Sequence, residues 1–205
     1  MELEDLGSNY LNWINDASSS KYILGSGFPV NKMMLNRYFE ENQPPNAVLF
    51  AICYVNTDLH FGNARLGHID WINRSARYGR LIGNEDYRGN GYGGEALFLL
   101  LKYGFHSLGL NRIWSAANIE NSPSRKSNDG VGMIEEGVLR EFIWCDGKFH
   151  DAMALSMLRS DFDRLYGDWV SRCWSVKGAF RFGLTNNSFG LFAFEVLLKS
   201  SHWKI

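Results

Sequence analysis

The spacing of apolar residues changes several times along the chain, and each change marks an element. From Ser8 to Asp16, Tyr10, Leu11, Trp13 and Ile14 recur at helical spacing behind a serine suited to capping, which predicts a short first helix. After Gly25-Ser26-Gly27-Phe28-Pro29, residues Asn31 to Asn42 gather Met33, Met34, Leu35, Tyr38 and Phe39 on one side of a second helix, ended by Pro44-Pro45. Strand patterns follow. Ala47 to Val55 is a continuous apolar run, and Ala64 to Ile72 alternates, with Leu66, His68, Asp70 and Ile72 on one face. A third strand is expected from about Arg77 to Gly83. The links between these runs are too short for parallel crossovers, so they predict an antiparallel meander.

The period then switches back to that of a helix. Ala96, Leu97, Leu100, Leu101, Gly104, Phe105 and Leu108 line one long helix from Gly93 to Leu108, stopped by Gly109. Arg112 to Ala117 reads as a strand, which makes strand, loop, helix and strand a parallel crossover unit. Asn121-Ser122-Pro123-Ser124 opens a further helix that ends near Gly130 to Gly132. Strands from about Glu136 to Trp144 and Phe149 to Leu158 flank the hairpin turn Asp146-Gly147. Asp161 to Trp169 is a candidate closing helix. The pattern as a whole predicts an α+β fold with a mixed sheet, over residues 1–168. Residues 169–205 form an extension rich in aromatics (Trp174, Phe180, Phe182, Phe189, Phe192, Phe194, Trp203), whose bland explanation is packing or dimerisation.

Composition narrows the classes. A formal net charge of −1 over 205 residues gives no electrostatic case for nucleic-acid binding. Cys53, Cys145 and Cys173 are far apart and odd in number, which argues against a zinc site or a disulfide framework and fits a reducing compartment. The acidic start, Met1-Glu2-Leu3-Glu4-Asp5, lacks the basic and apolar parts of a signal peptide, and no apolar run reaches membrane-span length. These features predict a cytoplasmic protein without a membrane partner.

The chemistry concentrates in Tyr87-Arg88-Gly89-Asn90-Gly91-Tyr92-Gly93-Gly94-Glu95, between the third strand and the long helix. Glycines free the backbone to turn its N–H groups onto an anion at the positive helix end, which predicts a phosphate cradle. Two readings compete. Gly89 to Gly94 satisfies G-x-G-x-x-G, with Glu120 as a candidate ribose-binding acid, which would make a dinucleotide site. Such a motif normally opens a doubly wound domain, whereas an antiparallel meander precedes this one.

Arg88-Gly89-Asn90-Gly91-Tyr92-Gly93 also fits [Arg/Gln]-x-x-Gly-x-[Gly/Ala]. With Tyr10 to Asp16, Asn73-Arg74-Ser75-Ala76, Asn121 to Arg125, Gly132 to Arg140 and Asp146 to Asp151, it makes the chain resemble the GNAT superfamily of acyl-CoA-dependent N-acetyltransferases. Within that superfamily it is most similar to the branch of ribosomal-protein N-terminal and spermidine acetyltransferases. The resemblance covers roughly residues 6–162. It implies acetyl-CoA as cosubstrate and no metal, with the pyrophosphate on the backbone of Arg88, Gly89, Asn90, Gly91, Tyr92, Gly93 and Gly94. The pantetheine arm is implied beside Leu81, Ile82 and Gly83. Asn121, Ser124 and Arg125 are implied as further cofactor contacts, and Arg88, Arg125 and Lys126 as cations near phosphate charge.

The reaction so implied is direct attack of a neutral amine on the thioester, which needs a base, oxyanion stabilisation and a proton for the departing sulfur. Many relatives carry a tyrosine acid four residues before the glycine that matches Gly132, where this chain has Asn128. The acid role then moves to Ser124 or to water. Asp70 is the first candidate base, ahead of His68, Glu85 and Asp86, while Asp151 is expected to hold the hairpin. The acceptor is a small-molecule, amino-sugar or peptide amine, and a homodimer is an expectation attached to the aromatic extension. An acyl-CoA-binding module without catalysis is the alternative that Asn128 would suit. Relatives usually begin with a strand ahead of the first helix, and none is legible here.

Overall fold

A computed structural model describes residues 8–20, 22, 28–54 and 57–172. Two helices, α1 (Ser8–Asn15) and α2 (Ala17–Ser20), lead into α3 (Lys32–Glu41), whose first turn is capped by Asn31 Oδ1 accepting the Met34 N–H at 2.9 Å. Three antiparallel strands follow as expected: β1 (Val48–Tyr54), β2 (Leu59–Asp70) and β3 (Ser75–Ile82). β2 starts five residues before the alternation suggests, because Leu59 and His60 still pair with Tyr54 and Cys53. The apolar run of β1 is explained by burial on both sides. Val48, Phe50 and Ile52 face the main core, while Leu49 and Ala51 pack against Leu35 and Phe39 of α3, with Tyr10, Leu11 and Ile14 of α1 alongside.

Beyond a short 3₁₀ turn (Glu85–Tyr87), α4 (Tyr92–Lys102) lies across the other face of the sheet. Its residues Ala96 to Leu101 are all buried, packed with Phe50, Phe61, Leu66 and Ile113. The expected long helix changes character at its end, where Tyr103–Ser107 form a wider π turn. Gly104 explains the contact there, since a Cβ would come within 2.5 Å of Ile113 Cδ1. Strand β4 (Arg112–Asn118), helix α5 (Ser122–Gly130), strands β5 (Ile134–Cys145) and β6 (Lys148–Leu158), and helix α6 (Arg159–Arg172) complete the described chain.

The six strands form one mixed sheet in the order β1-β2-β3-β4-β6-β5. β3 and β4 are its parallel pair, joined through Ser75↔Arg112, Ala76↔Ile113 and Arg77↔Trp114. Past Arg77 the two strands part. In contrast, β4 and β6 stay paired over their whole overlap, from Arg112↔Leu158 to Asn118↔Ala152. Ser115 Oγ donates to the Tyr78 carbonyl at 3.1 Å, a last side-chain tie beside the point of parting.

The hairpin follows its sequence signal, with positive φ at both Asp146 (51°) and Gly147 (75°), the geometry a two-residue turn between twisted strands needs. The edge strand β5 is broken by register slips at Glu135/Gly137 and Leu139/Ile143. Asp151 Oδ1 accepts the Glu141 N–H at 2.8 Å in the second of these, so Asp151 has the structural role expected of it. Residues 173–205, which include the aromatics assigned to an extension, lie outside the described residues, as does any strand ahead of α1.

Candidate active site

Gly89 and Gly91 both adopt left-handed backbone, at φ 77° and 84°, and Gly91 caps α4. A side chain at either would meet nothing within 4 Å, so glycine is required there by conformation and not by space. The neighbouring amides are committed: Arg88 N–H to Glu85 O at 2.9 Å, Gly94 N–H to Gly91 O at 3.0 Å and Glu95 N–H to Gly91 O at 3.2 Å. Between them, the amides of Gly89, Asn90, Gly91 and Gly93 bond no protein carbonyl among the described residues. At a helix N-terminus, such a set of donors attracts an anion.

Arg88 does not point its charge into this loop. Its Nε donates to the Ile82 carbonyl at 3.0 Å, and Nη2 donates to Gly83 O at 2.9 Å and Ser19 Oγ at 2.6 Å. Nη1 lies 3.3 Å from Glu85 Oε1. The expected phosphate cation is therefore a staple that fixes the end of β3 and the start of the loop. Arg125 is likewise occupied by Glu135 at 3.3 Å, while Lys126 is exposed. Asn121 Oδ1 accepts the Ser124 N–H at 3.1 Å and caps α5, so its side-chain oxygen is in use.

Leu81, Ile82 and Gly83 lie where β3 has left β4, with the Ile82 and Gly83 carbonyls taken by Arg88 and the Gly83 N–H by Phe61 O. Gly83 is buried under Trp13, and a Cβ there would fall 2.0 Å from the indole. Trp13 in turn meets the His60 ring edge-on at 5.1 Å, and His60 Nε2 lies 2.8 Å from Gly62 O and 2.9 Å from Asn63 Oδ1. This brings α1 and β2 to the end of β3, on the side away from α5.

The expected bases separate. His68 has a φ of 49° and sits in a register slip between Gly67 and Asp70, so His68 and Asp70 do not share a strand face. Asp70 accepts the N–H groups of Ile72 (2.9 Å) and Asn73 (2.8 Å) and the Asn73 amide (2.7 Å). These bonds, those of Asn73 foremost, hold its carboxyl below the usual carboxylate value, the reverse of what a base requires. Asp70 also lies opposite Ser75, at the far end of β3 from the cradle. Glu85 accepts from Ser18 Oγ at 2.9 Å as well as pairing with Arg88.

A GNAT acetyltransferase domain model matches residues 1–134. An uncharacterised N-acetyltransferase, p20 of Bacillus licheniformis, is 32% identical over 168 residues, covering 79% of this chain and 92% of that one. The chain belongs to the GNAT acetyltransferase family. The spermidine N(1)-acetyltransferase of Vibrio cholerae is 29% identical over 101 residues, or 49% of this chain and 58% of that protein. Among solved structures, the V. cholerae spermidine N-acetyltransferase in complex with CoA and spermine superposes with a TM-score of 0.72 at 22% identity, over 79% of this chain and 94% of that one. Mycobacterium smegmatis RimJ in complex with CoA-disulfide gives 0.66 at 18% identity, over 82% and 87%. The expected fold is the one observed.

In this GNAT acetyltransferase, a buried polar cluster that sequence reading missed lies behind the cradle. Tyr78 Oη donates to Asn128 Oδ1 at 2.7 Å, and Arg80 Nη2 donates to the same oxygen at 3.0 Å and to Ser127 Oγ. The signal was available: Arg80 falls in phase with Tyr78 and Ile82 on a strand face that otherwise turns to the core. Glu95, in the first turn of α4, has a buried Oε1 with no hydrogen-bond partner among the described residues, and burial pushes its carboxyl up to about 7. Among the described residues there is no cluster of three or more His, Cys, Asp or Glu able to hold a metal, and no helix long and apolar enough to cross a membrane.

Proposed function

We propose that the chain transfers an acetyl group from acetyl-CoA to a primary amine of a small molecule, amino sugar or protein N-terminus, by direct attack in a ternary complex. One observation carries the reading: the amides of Gly89, Asn90, Gly91 and Gly93, which bond no protein carbonyl among the described residues, gather around two left-handed glycines on the N-terminus of α4, beside the place where β3 parts from β4. These residues fit a pyrophosphate, which needs several donors aimed at one point and no side chain in the way. Gly89, Asn90, Gly91 and Gly93 would hold it, while the expected donor Gly94 is turned into the helix on Gly91 O and Arg88 fixes the loop from behind. The amide-bearing arm would lie beside Leu81, Ile82 and Gly83, although the Ile82 and Gly83 carbonyls are taken by Arg88 and the Gly83 N–H by Phe61 O.

Acetyl-CoA supplies the thioester carbonyl that the amine attacks. The chain would supply orientation and polarity: backbone N–H groups at the parted edge of β3 would meet the developing oxyanion, and Trp13 packs over Gly83. Ser124 lies one turn before Asn128 on α5 and would meet the departing sulfur as a hydrogen-bonding group. Proton removal from the amine passes through water, since Asp70 and Glu85 are engaged elsewhere. The near-neutral net charge of −1 favours a small amine or amino sugar over a polycation. The reading includes a cytoplasmic setting and no nucleic-acid or membrane partner, and it leaves homodimer formation as a proposal.

The experiment is incubation with acetyl-CoA and a panel of amino sugars, polyamines, peptides and simple amines while free thiol is followed. Amine-dependent thiol release with a mass gain on one acceptor supports the enzyme. Asn128, in place of a tyrosine acid, favours a second reading as a CoA-binding module without catalysis. Tight CoA binding with no thiol release across the panel would select that one.

A further inference from the structure

Arg80 is a half-buried cation without a counter-charge. Its Nη1 is inaccessible to solvent and has no hydrogen-bond partner among the described residues, and the Asn128 side-chain amide nitrogen beside it is in the same condition. Asn128 itself is fully buried. All the polar partners of the guanidinium are neutral: Asn128 Oδ1, Ser127 Oγ and the Tyr78 ring, whose centroid lies 5.9 Å from Cζ. No carboxylate among the described residues pairs with it. The more exposed Arg112 and Arg37 are paired with Glu136 and Glu41. Burying an unpaired charge together with a second unpaired donor is costly unless an acceptor arrives.

Position says where the acceptor would come from. Arg80 sits three residues past the last β3–β4 pair, in the stretch where the strands have parted, and a Cβ on Gly93 of the cradle helix would lie 3.8 Å from its Nε. It thus stands between the phosphate cradle and the closed end of the parting, the line along which the arm of the cofactor is read to lie. The family resemblance implies that Asn128 stands where many relatives carry a tyrosine acid.

We propose that Arg80, held by Asn128 and Ser127, is a catalytic residue that stabilises the departing sulfur as a thiolate, so that this chain replaces proton donation at that position by a fixed positive charge. The inference rests on the acetyl-CoA reading above. In the step, the amine nitrogen forms the C–N bond, the C–S bond breaks with its electron pair going to sulfur, and the amine's proton leaves to water. Thiolate charge is matched by the guanidinium, and the Asn128 amide donates to the same atom. An ordinary thiol titrates near 8.5, so the sulfur needs a counter-charge more than a proton, and a serine hydroxyl is too weak an acid to deliver one unaided.

The test titrates the thiol of bound CoA by its thiolate absorbance, in the unaltered protein and in Arg80→Met, Arg80→Lys and Asn128→Asp, with turnover measured on the accepted amine. In the unaltered protein the bound thiol is expected to titrate about one unit or more below free CoA. Arg80→Met should abolish that shift and lower kcat roughly a hundredfold, with little change in the KM for acetyl-CoA. Arg80→Lys should restore part of both, and Asn128→Asp, which gives Arg80 a carboxylate, should remove the shift while keeping the arginine. Thermal melts identify any variant that fails to fold, and the lysine and aspartate variants keep the question answerable if the methionine variant does. An unshifted thiol in a protein that binds CoA normally would overturn the assignment alone. Failure of the unaltered protein to bind CoA would overturn the cofactor reading beneath it as well.

Discussion

The two ends of β3 are built on opposite rules. At Ser75 the strand emerges from a turn in which Asp70 takes three donors, and its carboxylate is fully engaged. At Ile82 it ends among groups with polar atoms left over: Arg80 Nη1, the Asn128 amide nitrogen and Glu95 Oε1 are buried and unpartnered, and the amides of Gly89, Asn90, Gly91 and Gly93 bond no protein carbonyl among the described residues. Satisfied polar groups mark the end that holds the fold together. Unsatisfied ones gather at the end where we place the cofactor, which would offset their cost.

The contrast can be broken most sharply at the cradle. Gly91→Val places a β-branched residue at φ 84° and is expected to reduce CoA affinity by roughly a hundredfold, read by titration calorimetry. Retained affinity would show that the loop conformation does not carry binding. Asn128→Leu removes the acceptor shared by Tyr78 and Arg80, and with two buried groups stranded the protein should lose about 3 kcal/mol in a urea melt. A loss near zero would mean that the cluster is wet.

Glu95 gives a pH signature. Its carboxyl is raised to about 7 from an ordinary 4.5, so the folded state holds the proton more tightly than the unfolded one. Its effect is absent below about 4.5, where both states are protonated, and it lowers stability progressively as pH rises towards and through about 7. Above that, the carboxylate also places negative charge beside the anion cradle. Glu95→Gln should flatten this part of the stability profile and weaken the loss of CoA affinity on the alkaline side. A melting profile parallel to that of the unaltered protein would place Glu95 in contact with water.

The smallest effect is expected at the other end. Asp70→Asn should lower the melting temperature slightly and leave turnover unchanged. Its carboxyl is held low, so its contribution is complete above the ordinary carboxylate value and is lost as pH falls through the lowered one. A large drop in turnover without a change in melting would restore Asp70 as a base.

How much of this was legible in the sequence depends on the range of the interaction. The cradle and the Asp146-Gly147 turn are written in neighbouring residues, because left-handed backbone selects glycine locally. β1 was legible because burial on both faces leaves an unbroken apolar run. Asp70 was misplaced because the positive φ at His68 slips the register, and strict alternation then assigns the wrong face. The staple role of Arg88 depends on Ser19, and the Arg80–Asn128 contact joins residues far apart in the chain. No periodicity reports such pairs. A charged residue in phase with a core-facing row was the one available clue.

The seam between β3 and β4, only three residue pairs long, also divides the sheet mechanically. β1, β2 and β3 on one side and β4, β6 and β5 on the other are each knit by longer antiparallel ladders, so the seam is where the sheet would separate into two cooperative units. A ligand wedged at its open end and touching both sides would act as a rivet, slowing hydrogen exchange at Ala76 and Ile113 before it slowed exchange anywhere in the hairpin.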